Sequence, residues 1–68
     1  MNVTAVLTPA PEAGYTAYNP ETGTVSEGDT LDGALESLRE AVGLYMKVFP
    51  LTPAGAAFVT TISIAERA

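Results

Sequence analysis

The chain contains no cysteine, no histidine and no tryptophan. Disulfides are therefore excluded, and the common zinc-binding spacings cannot occur. The commonest general bases and nucleophiles are also missing, so we expect no enzyme activity and no cofactor. A chain of 68 residues buries only roughly 60% of its unfolded surface and often needs a further source of stability. With disulfides and zinc excluded, we expect a homo-oligomer, either a dimer or a tetramer.

Basic residues are scarce. Arg39, Lys47 and Arg67 are the three positive side chains, against eight acidic ones, and the net charge is −5. Because phosphate contacts need clustered Lys and Arg, we expect no direct binding of nucleic acid. The acidic balance fits a basic partner through charge complementarity, and it equally fits ordinary solubility.

Long apolar runs are lacking as well. No stretch approaches the ~20 residues that would span a bilayer. The N-terminus has neither the charged start nor the apolar run of a signal peptide. We therefore expect no membrane association, a cytoplasmic location and a single domain over residues 1–68.

The first third of the chain has the alternation and the turn residues of a β-meander. Val3, Ala5 and Leu7 alternate with their neighbours as in a strand, and residues 15–18 and 24–27 indicate a second and a third. Prolines and glycines in residues 8–14 and 19–23 predict the two turns. Tyr15 and Tyr18 fall on opposite faces of the second strand, so we expect one in the core and one exposed.

The next segment has helical spacing for about five turns. Thr30 is the predicted N-cap, and Pro50 ends the helix. Gly28, just before the cap, is expected to supply a positive φ. The apolar stripe, which should cover one face of the sheet, consists of Leu31, Ala34, Leu35, Leu38, Ala41, Val42, Tyr45, Met46 and Phe49.

Residues 57–65 are rich in β-branched side chains and predict a fourth strand, after a connector at residues 50–56. Both faces of this strand are partly apolar, which favours either a central strand or an edge strand that pairs across a subunit interface. The sequence therefore predicts an α+β fold with the order β-β-β-α-β, in which one mixed sheet carries one helix on a face.

Acidic residues suggest two sites, and each has a simpler explanation. Glu21, Glu27, Asp29 and Asp32 lie on or beside the two turns before the helix, and could converge to hold magnesium in a nuclease. Turns and first helical turns favour Asp and Glu anyway, and no metal-motif spacing is present, so we prefer that explanation. On the helix, Asp32, Glu36 and Glu40 form a ridge of like charges, either a docking surface for a basic partner or a solvated face.

Residues 15–45 carry an ordered set of short motifs. They are Tyr-x-Ala at 15–17, Pro-Glu at 20–21, Gly23, Ser-x-Gly-Asp-Thr at 26–30, Ala-Leu at 34–35 and Leu-Tyr at 44–45. In order and spacing this set resembles the N-terminal domain of the HicB family of antitoxins. Thr24 stands where the family often has Cys, and Asp32-Gly33 stands where an acidic pair is frequent.

The resemblance implies a β-β-β-α-β domain similar to a partial ribonuclease H fold. It also implies a type II antitoxin that binds and masks HicA, a small basic toxin that cleaves mRNA. Many family members add a C-terminal DNA-binding domain; we expect none here, and hence no direct autorepression. The predicted partner contacts are Glu21, Glu27, Asp29, Asp32 and Glu36. The alternative is an orphan oligomeric domain with an interaction or structural role and no toxin.

Overall fold

The structure, a computed structural model, describes residues 2–50 and 55–66. In these residues the chain forms strands β1 (Val6–Pro9), β2 (Tyr15–Asn19) and β3 (Thr24–Gly28), followed by helix α1 (Leu31–Val48). The sheet has the order β1-β2-β3, and both pairings are antiparallel. The predicted α+β class and the order β-β-β-α are confirmed. Within the same residues, no helix has the length and apolar character that a membrane crossing requires.

Two tight connections set the register of the meander. Between β1 and β2, the Ala10 N–H donates to the Gly14 carbonyl at 3.0 Å. Between β2 and β3, the Gly23 N–H donates to the Asn19 carbonyl at 2.8 Å, and Gly23 has a φ of 75°. Both connections were predicted from their prolines and glycines. The first strand begins only at Val6, later than the alternation from Val3 indicated.

The helix begins and ends where its caps predict. Thr30 has an extended backbone, and its hydroxyl accepts a hydrogen bond from the Gly33 N–H at 3.0 Å, which satisfies one donor of the first turn. Phe49 is the C-cap residue and precedes Pro50, which cannot continue the helix.

A small core lies between the sheet and the helix. Ala17 of β2 is fully buried against Ala34, Leu38 and Val42 of α1. The helix packs mainly on β3 and then on β2. Tyr15 packs at the edge of this core whereas Tyr18 is exposed, which confirms their assignment to opposite faces.

The two ends of the apolar stripe do not cover the sheet, contrary to prediction. Leu31, Tyr45 and Phe49 are exposed, and the Tyr45 and Phe49 rings contact each other with centroids 5.2 Å apart. The physical reason is length. A helix of 18 residues is about 27 Å long, whereas a strand of 5 residues spans only about 16 Å. Because the helix starts next to the end of β3, its C-terminal end extends past the sheet.

Gly28 is required for space rather than for its backbone angle. Among the described residues, the glycines with positive φ are Gly14, Gly23 and Gly55, so the predicted positive φ at Gly28 is wrong. A Cβ at Gly28 would lie 2.4 Å from the backbone nitrogen of Ala34. The absence of a side chain therefore lets the first turn of α1 pack directly on β3.

The predicted fourth strand is not formed. Residues 55–66 are exposed throughout and belong to no helix or strand. Phe58 is 91% exposed and Ile62 is 78% exposed. A strand needs a neighbour for its N–H and C=O groups, and the folded part of this single chain does not pair with these residues. Of the connector predicted at 50–56, residues 51–54 lie outside the described residues.

Candidate functional site

A hydrogen-bond network surrounds the carboxylate of Glu21, beside the turn between β2 and β3. The Thr4 N–H donates to Oε1 at 2.8 Å and the Thr4 hydroxyl to Oε2 at 2.7 Å. Asn19 Nδ2 donates to Oε1 at 2.6 Å, and the Ala57 N–H donates to Oε2 at 3.1 Å. One side chain thus connects the segment before β1, the turn and the start of the C-terminal segment.

Asn19 adds further hydrogen bonds to the network around Glu21. Its side chain is fully buried, and its Nδ2 also donates to the Thr4 carbonyl at 2.7 Å. Its Oδ1 accepts from the Thr22 N–H at 2.9 Å and from the Thr22 hydroxyl at 2.6 Å. In the described part of the chain, no buried side-chain nitrogen or oxygen lacks a partner. The network is therefore internally satisfied.

These donors act on the acidity of Glu21. The hydrogen bond from the Thr4 hydroxyl, followed by that from the Thr4 N–H, lowers the pKa of the Glu21 carboxyl from 4.5 to about 2. Hydrogen bonds to a carboxylate favour its charged form, which is the cause of the shift. Contact between Glu21 and a partner stays a prediction, but four donors of its own chain already occupy the carboxylate.

The other acidic residues lie at the opposite end of β3. Glu27 and Asp29 line a shallow depression of about 390 Å³ together with Tyr15. Asp32 follows in the first turn of α1, where a negative charge is favourable near the helix N-terminus. All three acids are exposed. Glu27 lies on the same face of β3 as Val25, away from the helix, whereas Asp32 and Glu36 lie on α1. We use the name acidic surface for these four residues, Glu27, Asp29, Asp32 and Glu36.

The structure separates Glu21 from the acidic surface. Strand β3 lies between the two turns, and its five residues put about 13 Å between its first and last Cα atoms. Among residues 2–50 and 55–66, no group of three or more His, Cys, Asp or Glu side chains is placed to hold a metal ion. In the described residues the four carboxylates therefore do not form one metal-binding cluster.

Glu36 lies further along the helix and forms an ion pair. Its carboxylate accepts from Arg39 Nη1 at 2.6 Å and 2.9 Å, and both side chains are exposed. A surface pair at this spacing stabilises a helix by only about 0.2–0.5 kcal/mol. Both charges thus stay accessible from solvent.

Sequence reasoning missed an apolar row on the sheet face away from the helix. Val6 lies opposite Tyr18, and Tyr18 lies opposite Val25, so the three side chains cross the sheet in one line. Tyr18 and Val25 are exposed. The alternation within each strand contained this signal, but only the register between strands aligns the three residues.

A groove lies between the helix and the segment before β1. We call it the helix–edge groove; its volume is about 400 Å³. It is open, and its lining is mainly apolar. The residues that matter below are Val3, Ala5, Leu35, Val42, Gly43 and Met46.

Comparisons of this chain with protein-family models, with curated proteins and with solved structures return no match. The resemblance to HicB antitoxins therefore depends on the motifs in residues 15–45. Function has to be proposed from those motifs and from the surfaces described above.

Proposed function

We propose that the protein is a binding module of the HicB antitoxin type, which masks a small basic mRNA-cleaving toxin with its acidic surface. The observation that carries the proposal is the exposure of Glu27, Asp29 and Asp32 around one junction, in a chain of net charge −5. Complementary charge accelerates the encounter with a basic partner and selects against acidic ones. The same proposal places the protein in the cytoplasm, where such a toxin acts on mRNA.

The element order supports this proposal in part. The three-stranded meander followed by one helix matches the beginning of the β-β-β-α-β order that the resemblance implies. The partial ribonuclease H fold would further require residues 57–65 to join the sheet. The similarity of this chain to a partial ribonuclease H fold is therefore part of the proposal.

Co-expression with a small basic toxin of the HicA type tests the proposal. We expect the two proteins to co-purify, the toxin to stop cleaving mRNA, and cell growth to recover. Because the contact is electrostatic, the affinity should fall as salt is raised. Absence of both co-purification at low salt and growth rescue would contradict the proposal.

A matched pair of charge reversals locates the contact. Glu27→Lys and Glu66→Lys each change the net charge by the same amount, and both positions are exposed. Glu27 lies in the acidic surface, whereas Glu66 lies in the C-terminal segment. We expect Glu27→Lys to weaken toxin binding by more than tenfold and Glu66→Lys to have little effect. Equal effects would argue for a general charge effect and against this surface.

The alternative is an orphan oligomeric domain with a structural or interaction role. The apolar row of Val6, Tyr18 and Val25 favours it, because such a row is suited to burial against another protein surface. The neighbouring gene discriminates between the two functions. A short reading frame for a basic protein beside this one favours the antitoxin, and its absence favours the orphan domain.

A further inference from the structure

The C-terminal segment, residues 55–66, has the composition of a strand but pairs with no strand among the residues that the structure describes. In a strand, Phe58, Ile62 and Ile64 would lie on the even-numbered face, which thus carries three large apolar side chains, whereas the other face carries Val59. All three are exposed, and Phe58 is exposed over 91% of its surface. Apolar side chains exposed in a row are suited to burial against another surface.

The sheet offers an edge for such an element. In the described part of the chain, β1 pairs with β2 alone, so the outer edge of β1 has no partner strand. An unpaired edge presents a row of N–H and C=O groups that another strand can extend. The helix packs chiefly on β3 and β2. Its flank on the β1 side is therefore only partly covered by the sheet, through Leu7.

The helix–edge groove lies at this place. Val3 and Ala5, just before β1, form one wall, and Leu35, Val42 and Met46 of the helix form the other. Gly43 adds space, since a Cβ there would meet no described atom within 4 Å. A mid-helix glycine lowers helix propensity. Its position beside an open apolar groove permits close approach of another backbone.

The lengths agree. Residues 58–65 in a strand would span about 26 Å, and the 18 residues of α1 span about 27 Å. One strand in the groove would thus run along the whole helix. Its apolar, even-numbered face would turn towards the helix, and its other face would continue the open side of the sheet.

We propose that the C-terminal segment of one copy of this chain adds as a strand to the β1 edge of a second copy, with its apolar face in the helix–edge groove. The exchange is reciprocal, which gives a closed two-fold dimer. It does not depend on the toxin proposal, since it concerns a different surface.

Two observations favour a second copy over the chain's own segment. Within the chain, the segment is hydrogen-bonded at Ala57 to Thr4 and Glu21, and beyond that point it stays exposed. The radius of gyration is 14.1 Å, whereas a compact chain of this length would have about 11 Å. The segment therefore extends away from its own core, where it can reach another molecule.

The first experiment measures mass and affinity. Light scattering of the full chain should give twice the 7.0 kDa of one chain. Ile62→Asp should weaken the dimer on the order of 100-fold, the loss expected for an apolar anchor of an interface. Ser63→Asp on the opposite face is the matched control and should have a much smaller effect. Circular dichroism should show that both variants are folded, because both positions are exposed.

The second experiment identifies the occupant. The chain has no cysteine, so Ala5→Cys can be mixed with Phe58→Cys, Thr60→Cys or Ile62→Cys, each on a separate chain. A disulfide needs Cα atoms roughly 4.4–6.8 Å apart, so a mixed disulfide requires the segment of one chain at the edge of another. Val25→Cys, on strand β3, replaces Ala5→Cys in a control mixture that measures disulfides formed by random collision. Each variant is also oxidised alone, as a control for disulfides between identical chains.

We expect a mixed disulfide between Ala5→Cys and at least one segment variant, and none above background with Val25→Cys. Three results would overturn the proposal. They are a monomer at all concentrations, equal effects of Ile62→Asp and Ser63→Asp, or an Ala5→Cys/Ile62→Cys double variant that closes its disulfide within a monomer. The last result would mean that the chain's own segment fills the groove.

Discussion

Glu21 and Thr4 are 17 residues apart in the chain and share two hydrogen bonds, one from the Thr4 N–H to Oε1 and one from the Thr4 hydroxyl to Oε2. The Thr4 hydroxyl also accepts from the Ala57 N–H at 2.6 Å. This pair therefore holds both terminal segments against the turn between β2 and β3. A charged side chain thus contributes to the organisation of the fold, while the acidic surface lies elsewhere.

The Glu21 network makes stability depend on pH. The folded-state pKa of about 2 lies below the ordinary 4.5, so the carboxylate stabilises the fold above pH 4.5. This stabilisation is lost as the pH falls from 4.5 to about 2, where the folded state takes up the proton. Urea unfolding of the wild type and of Glu21→Gln should differ at pH 7, and the difference should shrink across that window. Glu12→Gln, in an exposed loop, is the control; a constant difference for Glu21→Gln would contradict the account.

The cap at Thr30 should have a measurable effect on stability. Thr30→Ala removes the acceptor of the Gly33 N–H and is expected to lower the free energy of unfolding by about 1 kcal/mol. Thr30→Asn retains an acceptor oxygen and should restore most of the loss. Urea denaturation at neutral pH measures all three proteins. Equal destabilisation by Ala and Asn would mean that the hydroxyl contributes by some route other than capping.

Gly28 and Gly43 should respond in opposite directions to the same substitution. Gly28→Ala puts a Cβ 2.4 Å from the Ala34 nitrogen and should lower the free energy of unfolding by about 1–3 kcal/mol. Gly43→Ala meets no described atom within 4 Å and should raise it by up to about 1 kcal/mol, through helix propensity. Unfolding is measured at protein concentrations low enough to exclude self-association. A stable Gly28→Ala protein would contradict the close packing of α1 on β3.

The elements with local signals were predictable from the sequence. Thr30, Pro50 and the helical spacing define α1 because capping and periodicity act within a few residues. The turn glycines define the meander for the same reason. The extent of the helix that covers the sheet was not predictable, because it depends on strand length, and so Tyr45 and Phe49 were wrongly assigned to the covered stripe.

The Glu21 network was beyond sequence reasoning. No local pattern connects Thr4 with Glu21, and Ala57 takes part only through its backbone groups, which carry no sequence signal. The reason why position 28 needs a glycine was also not predictable. A glycine required by a close backbone contact and a glycine required by a positive φ look the same in a sequence. Residues 57–65 show the converse case, a strong β pattern without a partner strand in the described part of the chain. Strand pairing depends on two strands, whereas the pattern within one segment describes that segment alone and does not show which strand it pairs with.

Two leucines of α1 that differ in burial, Leu38 and Leu44, test how much stability the small core provides. Leu38 is 4% exposed and Leu44 is 63% exposed. Leu38→Ala should lower the free energy of unfolding by about 2–5 kcal/mol, since it removes buried methyl groups and leaves a cavity. Leu44→Ala removes the same atoms from the surface and should change it by less than about 0.5 kcal/mol. A lone core of this size often supplies only about 3–5 kcal/mol, so Leu38→Ala should leave much of the protein unfolded before urea is added. If Leu38→Ala unfolds with the same midpoint as Leu44→Ala, the sheet–helix core does not hold this chain together, and its stability must come from association.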